Sequence, residues 1–271
     1  MNGRILHFYL AGINNQNFLM RDRETGTWWQ QITGKAVYGP LRGAALELAP
    51  YDELTFGEWK SEVSEGKVLA LVQKYVKEYD SNWEPEILKL PVVISFPGTE
   101  LKSRDVVVGL KLEGDSRAYP WDTLVKQSPV VDHVHGTPLL VAVAPDGKSF
   151  RVFISRIDGK DAEFFLKPAD SALDAKLVAA SATKSSAGVS PAVGGTSRPT
   201  ATPPASTPAK SDPPQKPWLL VDSTTASEWN FQGCAISGPS QGKCLERVPA
   251  LKDYWFDWRN YHPDTTIYKR Q

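Results

Sequence analysis

Asp132-His133-Val134-His135 places two imidazoles two residues apart. Residues i and i+2 of a strand share a face, so His133 and His135 would form a two-point metal clip, with Asp132 as an adjacent oxygen donor. No third ligand of the usual kind stands nearby, and a solvent-facing strand end explains the same residues without a metal. Asp22 and Asp222 occupy equal positions of a repeat. They would act as paired catalytic carboxylates only if a few ångströms apart; a turn aspartate bonding the backbone ahead of it is the alternative. Trp28, with Gln30, Gln31 and Arg42, would line a shallow polar pocket for a flat ligand, joined by Asp22 and Asp222 as possible ligand contacts. Cys234 and Cys244 flank Gly238-Pro239, so a hairpin turning there sets them opposite each other, about 4.5–5.5 Å apart and within disulfide reach; two buried thiols are the other reading. His7 and His262 have no partner pattern and read as structural. No phosphate-cradling glycine loop, nucleophile elbow or metalloprotease helix appears.

The elements that must position these residues repeat. Phe18 to Trp59 is answered by Trp218 to Trp258. With one residue deleted after Trp29/Trp229, the matches are Asp22/Asp222, Thr25/Thr225, Trp29/Trp229, Gly34/Gly233, Gly39/Gly238, Pro40/Pro239, Gly43/Gly242, Leu46/Leu245, Pro50/Pro249 and Trp59/Trp258. Identities on Gly, Pro, Trp and Asp carry backbone and packing constraints, so the chain is an internal duplication. Strands are expected over 4–10, 27–31, 35–38, 106–112, 130–134 and 138–144. Short helices are expected after Thr55, a capping-box start, at 121–126, and after Asp253, which can cap its own helix. Extended backwards, the alignment sets Asn2–Phe8 on Asp146–Val152. Copy one then lacks the first strands of copy two; the N-terminus is truncated, or another element covers the exposed sheet edge.

The parts divide as 1–72, the C-terminal part of copy one; 73–102, an irregular connection; and 103–271, copy two. The Ser/Thr/Pro/Ala-rich stretch 179–217 interrupts copy two and is expected to be disordered, for want of apolar side chains to bury. Lysine plus arginine and aspartate plus glutamate are 31 each, which removes the long-range attraction a nucleic-acid partner needs. No apolar stretch reaches transmembrane length, and MNGRILHFYL lacks the parts of a signal peptide. As written the chain reads as cytoplasmic, or as extracytoplasmic if Met1 is not the true start.

The run Asp22-Arg-Glu-Thr-Gly-Thr-Trp-Trp-Gln-Gln-Ile-Thr-Gly, then Gly39-Pro-Leu-Arg-Gly43 and Trp59, resembles the bacterial "domain of unknown function 3179". In copy two, Gly109-Leu-Lys-Leu-Glu-Gly-Asp-Ser-Arg-Ala-Tyr-Pro120, Val130-Val131-Asp132 and Gly238-Pro239 resemble the same family. The resemblance brings no activity and no cofactor. Members of that family typically carry, in their first half, a His-x-x-Val-Asn-Asp segment followed by Cys-Pro-x-Cys-Gly, a plausible metal or redox site; that part of copy one falls before Met1, so the constellation is absent from this sequence. The matching positions in copy two are Gln127, Ala144 and Gly147, with only Asp132 kept.

The expected fold is mainly β, two pseudo-symmetric antiparallel units with short helices. The expected function is non-catalytic binding of a small molecule or protein. The alternative is a fragment of a metal- or thiol-dependent enzyme whose His/Cys site lay upstream of Met1.

Overall fold

Asp22 and Asp222 close the same turn in two places, and the architecture grows outward from those turns. A computed structural model describes residues 3–14, 17–49, 51–78, 82–93, 100–168 and 218–269; the stretch 179–217 lies outside them. Copy one is an antiparallel meander of β1 (Phe8–Asn14), β2 (Asn17–Asp22), β3 (Trp28–Gln30) and β4 (Ala36–Tyr38). Helix α1 (Phe56–Glu62) follows, started by the Thr55 hydroxyl, which accepts from the Glu58 amide at 3.2 Å. A 3-10 turn (Gln73–Glu78) and α2 (Trp83–Ile87) make the connection.

Copy two opens with β5 (Val106–Leu112), β6 (Asp115–Pro120), α3 (Trp121–Gln127), β7 (Val130–Val134), β8 (Thr137–Val143) and β9 (Phe150–Ile154). A small ribbon, β10 (Arg156–Ile157) and β11 (Lys160–Asp161), leads to β12 (Phe164–Leu166), β13 (Leu220–Asp222), β14 (Glu228–Trp229) and β15 (Ala235–Ser237). Then come β16 (Ala250–Tyr254), α4 (Trp255–Tyr261) and β17 (Thr266–Ile267). The sheets are β1-β2-β3-β4, β12-β13-β14-β15, β16-β5-β6-β17 and β7-β8-β9, with only β6–β17 parallel among these pairs.

The turns explain the repeat. In copy one the Asp22 amide donates to the Thr27 carbonyl at 3.1 Å and the Gly26 amide to the Asp22 carbonyl at 3.1 Å; Asp222, Ser227 and Ala226 repeat this at 3.2 and 3.1 Å. The fifth turn residue needs a left-handed backbone, which Gly26 adopts freely at φ 71°, while Ala226 adopts it at φ 55° with strain. Gly39 and Gly238 are required for a second reason. A Cβ would meet the Thr27 Cα at 2.9 Å in one copy and the Ser227 Cα at 2.7 Å in the other.

Layering differs between the copies. Strand β8 is buried on both faces, which is why 138–144 reads as a continuous apolar run instead of an alternating one. On one side Val141 and Val143 join Val108, Leu110, Tyr119 and Leu124. On the other, Leu140 joins Phe153, Phe164, Leu220 and Trp229. Copy one's sheet contributes no residue to any of the four hydrophobic clusters among the described residues. The segment after the sheet ties copy one to copy two, with Leu54 packed against Ala142, Ala144 and Phe231 and several polar contacts around it. The Arg151 side chain, 2% exposed, reaches Glu62 at 2.5 and 2.8 Å and Asp52 at 2.8 Å. Thr55 donates from its amide to Ser149 at 2.8 Å and from its hydroxyl to Asp146 at 2.7 Å.

Two expectations change. Strand β1 begins at Phe8, not at residue 4, and Phe8 pairs with Asp22 as Phe164 pairs with Asp222. Phe8 is therefore the counterpart of Phe164, not of Val152; both segments are apolar after a turn, and only ladder register separates them. Asp253 does not cap α4: the cap is Tyr254, without a side-chain bond, and the Asp253 carboxylate only accepts the Tyr254 amide at 2.7 Å.

Candidate functional site

Asp22 and Asp222 are both buried. The Asp22 carboxylate accepts the Thr25 amide at 2.6 Å, the Thr25 hydroxyl at 2.8 Å and the Trp29 indole at 2.8 Å. Asp222 accepts the same three groups from Thr225 and Trp229, and the Thr224 and Ser227 amides besides. Burial acts to raise both carboxyls, yet these donors hold both below the ordinary carboxylate range. Each carboxylate is thus spent on holding its own turn and tryptophan.

Trp28, Gln30, Gln31 and Arg42 do not converge. Trp28 lies in β3 beside the Arg21 guanidinium, 5.8 Å from the ring centre. Gln30 accepts the Thr33 hydroxyl at 2.7 Å. Gln31 and Arg42 stand in the turns at opposite ends of β4. None of the four lines the cavities described below.

Asp132, His133 and His135 also part company. Asp132 faces inward and takes two bonds from Arg117, at 2.8 and 3.0 Å, and one from the Tyr119 hydroxyl at 3.0 Å. Burial opposes ionisation there, but Arg117 holds the carboxyl down, and burial with the Asp132 charge pushes the Tyr119 phenol up. His133 points outward to Asp161 at 3.8 Å, and His135 to Asp115 at 3.1 Å. No group of three or more His, Cys, Asp or Glu suited to a metal ion occurs among the described residues. Alternation along β7 separates the aspartate from His133. Arg117, Tyr119 and Asp132, three positions of the copy-two motifs, are brought together as a half-buried ion pair. Cys234 and Cys244 are joined in a disulfide, where copy one bridges Lys35 to Ala45. His7 pairs with Glu24 at 2.6 Å.

Two cavities adjoin through Lys111, Tyr261 and His262. The first, about 270 Å³, lies on the seam between the copies. Copy one supplies Ile32, Thr33, Lys35, Leu48 and Tyr51; copy two supplies Leu110, Lys111, Leu251, Trp258, Tyr261 and His262. No carboxylate lines it. The second, about 350 Å³, opens past Arg117, His133, His135, Asp115 and Asp264. His262, read from sequence as structural, stands where the two meet, its ring 4.0 Å from the Trp258 ring. Burial first, then the Lys111 and Lys35 ammonium groups, press its pKa below the ordinary value, so at neutral pH it is a neutral donor–acceptor between two cations. Sequence spacing hid this site because its members come from β4's approach, β5 and the end of α4. One signal was present: Lys35 stands at the position of Cys234, a charge where the repeat has a cystine.

No described helix is long and apolar enough to cross a membrane. A family model described as a protein of unknown function (DUF3179) matches residues 4–265. No curated protein and no solved structure matches the chain.

Proposed function

This chain belongs to the DUF3179 family of proteins of unknown function, and we propose that it binds a small anionic ligand with an apolar body in the seam cavity, without transforming it. The supporting observation is that Lys35 of copy one and Lys111 of copy two act together on His262 in a cavity free of carboxylates. An anion placed there would relieve the repulsion between the two ammonium groups, while Leu48, Leu251 and Trp258 would cover the apolar part. A non-catalytic role is favoured because, among the described residues, His262 has no carboxylate bonded to orient it and no hydroxyl or thiol nucleophile bonded to it, the arrangement that acid–base or covalent catalysis uses.

The test is a titration of the protein with inorganic phosphate, acetate and benzoate, following the His262 ring by NMR. Binding is expected to raise the His262 pKa toward the ordinary imidazole value, with benzoate the tightest of the three. Lys111→Ala is expected to weaken benzoate about tenfold, roughly 1.4 kcal/mol. If none of the three probes moves the His262 resonances at millimolar concentration, the reading fails.

A further inference from the structure

Copy one reaches α4 through Asn17, the first residue of β2, whose side-chain amide donates to Asp257 Oδ2 at 3.3 Å across the seam. Both residues are buried, Asn17 9% and Asp257 7% exposed. Asp257 in turn bonds the carboxyl of Asp253, which lies near the end of β16. Two of the four oxygens are taken: Asp253 Oδ1 accepts the Tyr254 amide at 2.7 Å, and Asp257 Oδ2 accepts Asn17. That leaves Asp253 Oδ2 and Asp257 Oδ1, both shut off from solvent and without any other donor. Two carboxylate oxygens cannot bond without a hydrogen between them, so one carboxyl of the pair must be protonated.

The surroundings decide where that proton sits. Burial raises Asp257, but Asn17 donates to it and favours its charged form, so the proton belongs to Asp253. Burial first, then the Asp257 charge, push the Asp253 carboxyl up to about 8. Glu53, from the segment after copy one's sheet, adds a further negative charge, and nearby Tyr51 feels both Glu53 and Asp253. Tyr261, one turn beyond Asp257, feels both aspartates and bonds Asn260 and copy one's Gln30. Arg104, before β5, lies over the Tyr254 and Phe256 rings at 5.4 and 5.6 Å, and Lys252 points to Glu53 at 3.5 Å. Among the described residues neither cation forms a salt bridge with the pair.

We propose that Asp253 and Asp257 form a proton-operated latch on the seam: one shared proton lets the two carboxyls sit together against copy one's Asn17, and its loss loosens copy one's sheet from α4 as pH rises. The pair lines neither of the two cavities, so the latch does not rest on the anion site. With the seam closed, Asp253 keeps its proton to about pH 8. With the seam open, water solvates both carboxyls and the proton leaves near the ordinary value of about 3.9. Opening therefore releases a proton. Closure is favoured in full below the ordinary value, and that advantage is lost as pH rises through the folded value. Once ionised, Asp253 also stands against the like charge of Glu53 from copy one.

The experiment is hydrogen exchange of the full chain from pH 6 to pH 9, read as protection factors of the β1–β4 amides over times that leave β7–β9 unexchanged. Protection is expected to fall about tenfold per pH unit up to about pH 8 and then to level off. Asp22 and Asp222 titrate below this range, and His262 is held below its ordinary value, so none of them accounts for the fall. Asp253→Asn supplies an amide donor that does not titrate, and should flatten the profile. Asn17→Ala removes the donor that favours the Asp257 charge; it should lower β2 protection at pH 6 and move the end of the fall to higher pH. Carboxyl-carbon NMR of the parent reads the proton directly and should show one aspartate titrating near pH 8. Parent protection that stays flat from pH 6 to pH 8 overturns the proposal. So does an unaltered fall in Asp253→Asn, or the absence of any aspartate titrating above pH 6.

Discussion

Around Asp22 and around Asp222 the chain makes the same turn with the same bonds, but among the described residues only one of the two sheets is backed by a second layer. Phe8 and Phe164 both meet the repeat tryptophan edge-on, with ring centres 5.8 and 5.6 Å apart. Phe164 is 2% exposed beneath β7-β8-β9, whereas Phe8 is 36% exposed. The helices differ in the same way. Trp255 at the start of α4 is 3% exposed; Phe56, its counterpart in α1, is 64% exposed, and α1 buries nothing. The turn motif therefore closes and buries its own aspartate and tryptophan alike in both copies, while the burial of the residues around it depends on what is laid over them. Copy two has its own cover. Copy one leans on copy two mainly through ions and hydrogen bonds, with Leu54 the apolar contact to Ala142, Ala144 and Phe231, which makes the seam the weak plane of the molecule.

The comparison breaks most sharply at Arg151. Its guanidinium sits 4.7 Å over Phe231 and balances two carboxylates of copy one. Arg151→Ala should destabilise by about 3–5 kcal/mol, because it strands buried charge. Hydrogen exchange should show β1–β4 opening before β7–β9; simultaneous loss of protection would contradict the asymmetry.

Removing the cystine should make copy two resemble copy one. Cys234 and Cys244 are 10 residues apart, and a loop of that size gives about 2.5–3 kcal/mol in the chain-entropy account. A Cys234→Ala/Cys244→Ala double variant should lower denaturant stability by about that much and keep its fold, since Lys35 and Ala45 bridge without sulfur.

Smaller effects sharpen the equivalence of the turns. Asp22→Ala and Asp222→Ala each leave a buried indole N–H unpaired, for about 1–3 kcal/mol, and the loss at Asp222 should be the larger because it accepts more donors. Both folded carboxyls lie below their unfolded value, so the stability they provide is present above about pH 4 and is lost as pH falls through the folded pKa. Acid unfolding of the parent and the two variants should therefore converge at low pH; curves that stay parallel would remove the carboxylates from the account. The smallest signal is at His262. Its folded pKa is lowered, so the neutral form it favours gives full stability above about 6.5 and less as pH falls. An NMR titration of Lys111→Ala should show the His262 pKa rising; no change would remove Lys111 as a cause.

Much of this scaffold was readable before any coordinates. Paired Gly, Pro, Trp and Asp announced the duplication because those residues answer to backbone geometry, which is local. The start of β1 at Phe8 is not legible in the sequence, because an apolar strand after a turn fits two registers and only the partner strand decides. The same limit applied to chemistry. The aspartates in the motif turned out to be bonded within their own turns. Lys35, Lys111 and His262 lie far apart in the chain and share no spacing rule, so nothing linear joins them.

The β12–β13 hairpin carries one more consequence. Strands β1 and β2 are joined after Asn14 pairs with Asn17. In copy two the Lys167 amide bonds the Leu219 carbonyl at 2.9 Å, so positions about fifty apart in sequence are neighbours in space. By loop-closure entropy so long an excursion costs only about 2–3 kcal/mol more than a two-residue one. Excising 169–217, which keeps Trp218 on Phe231, and joining the ends with a short reversal should therefore yield a shorter, more heat-resistant protein, with the first repeat serving as the surgical pattern for the second.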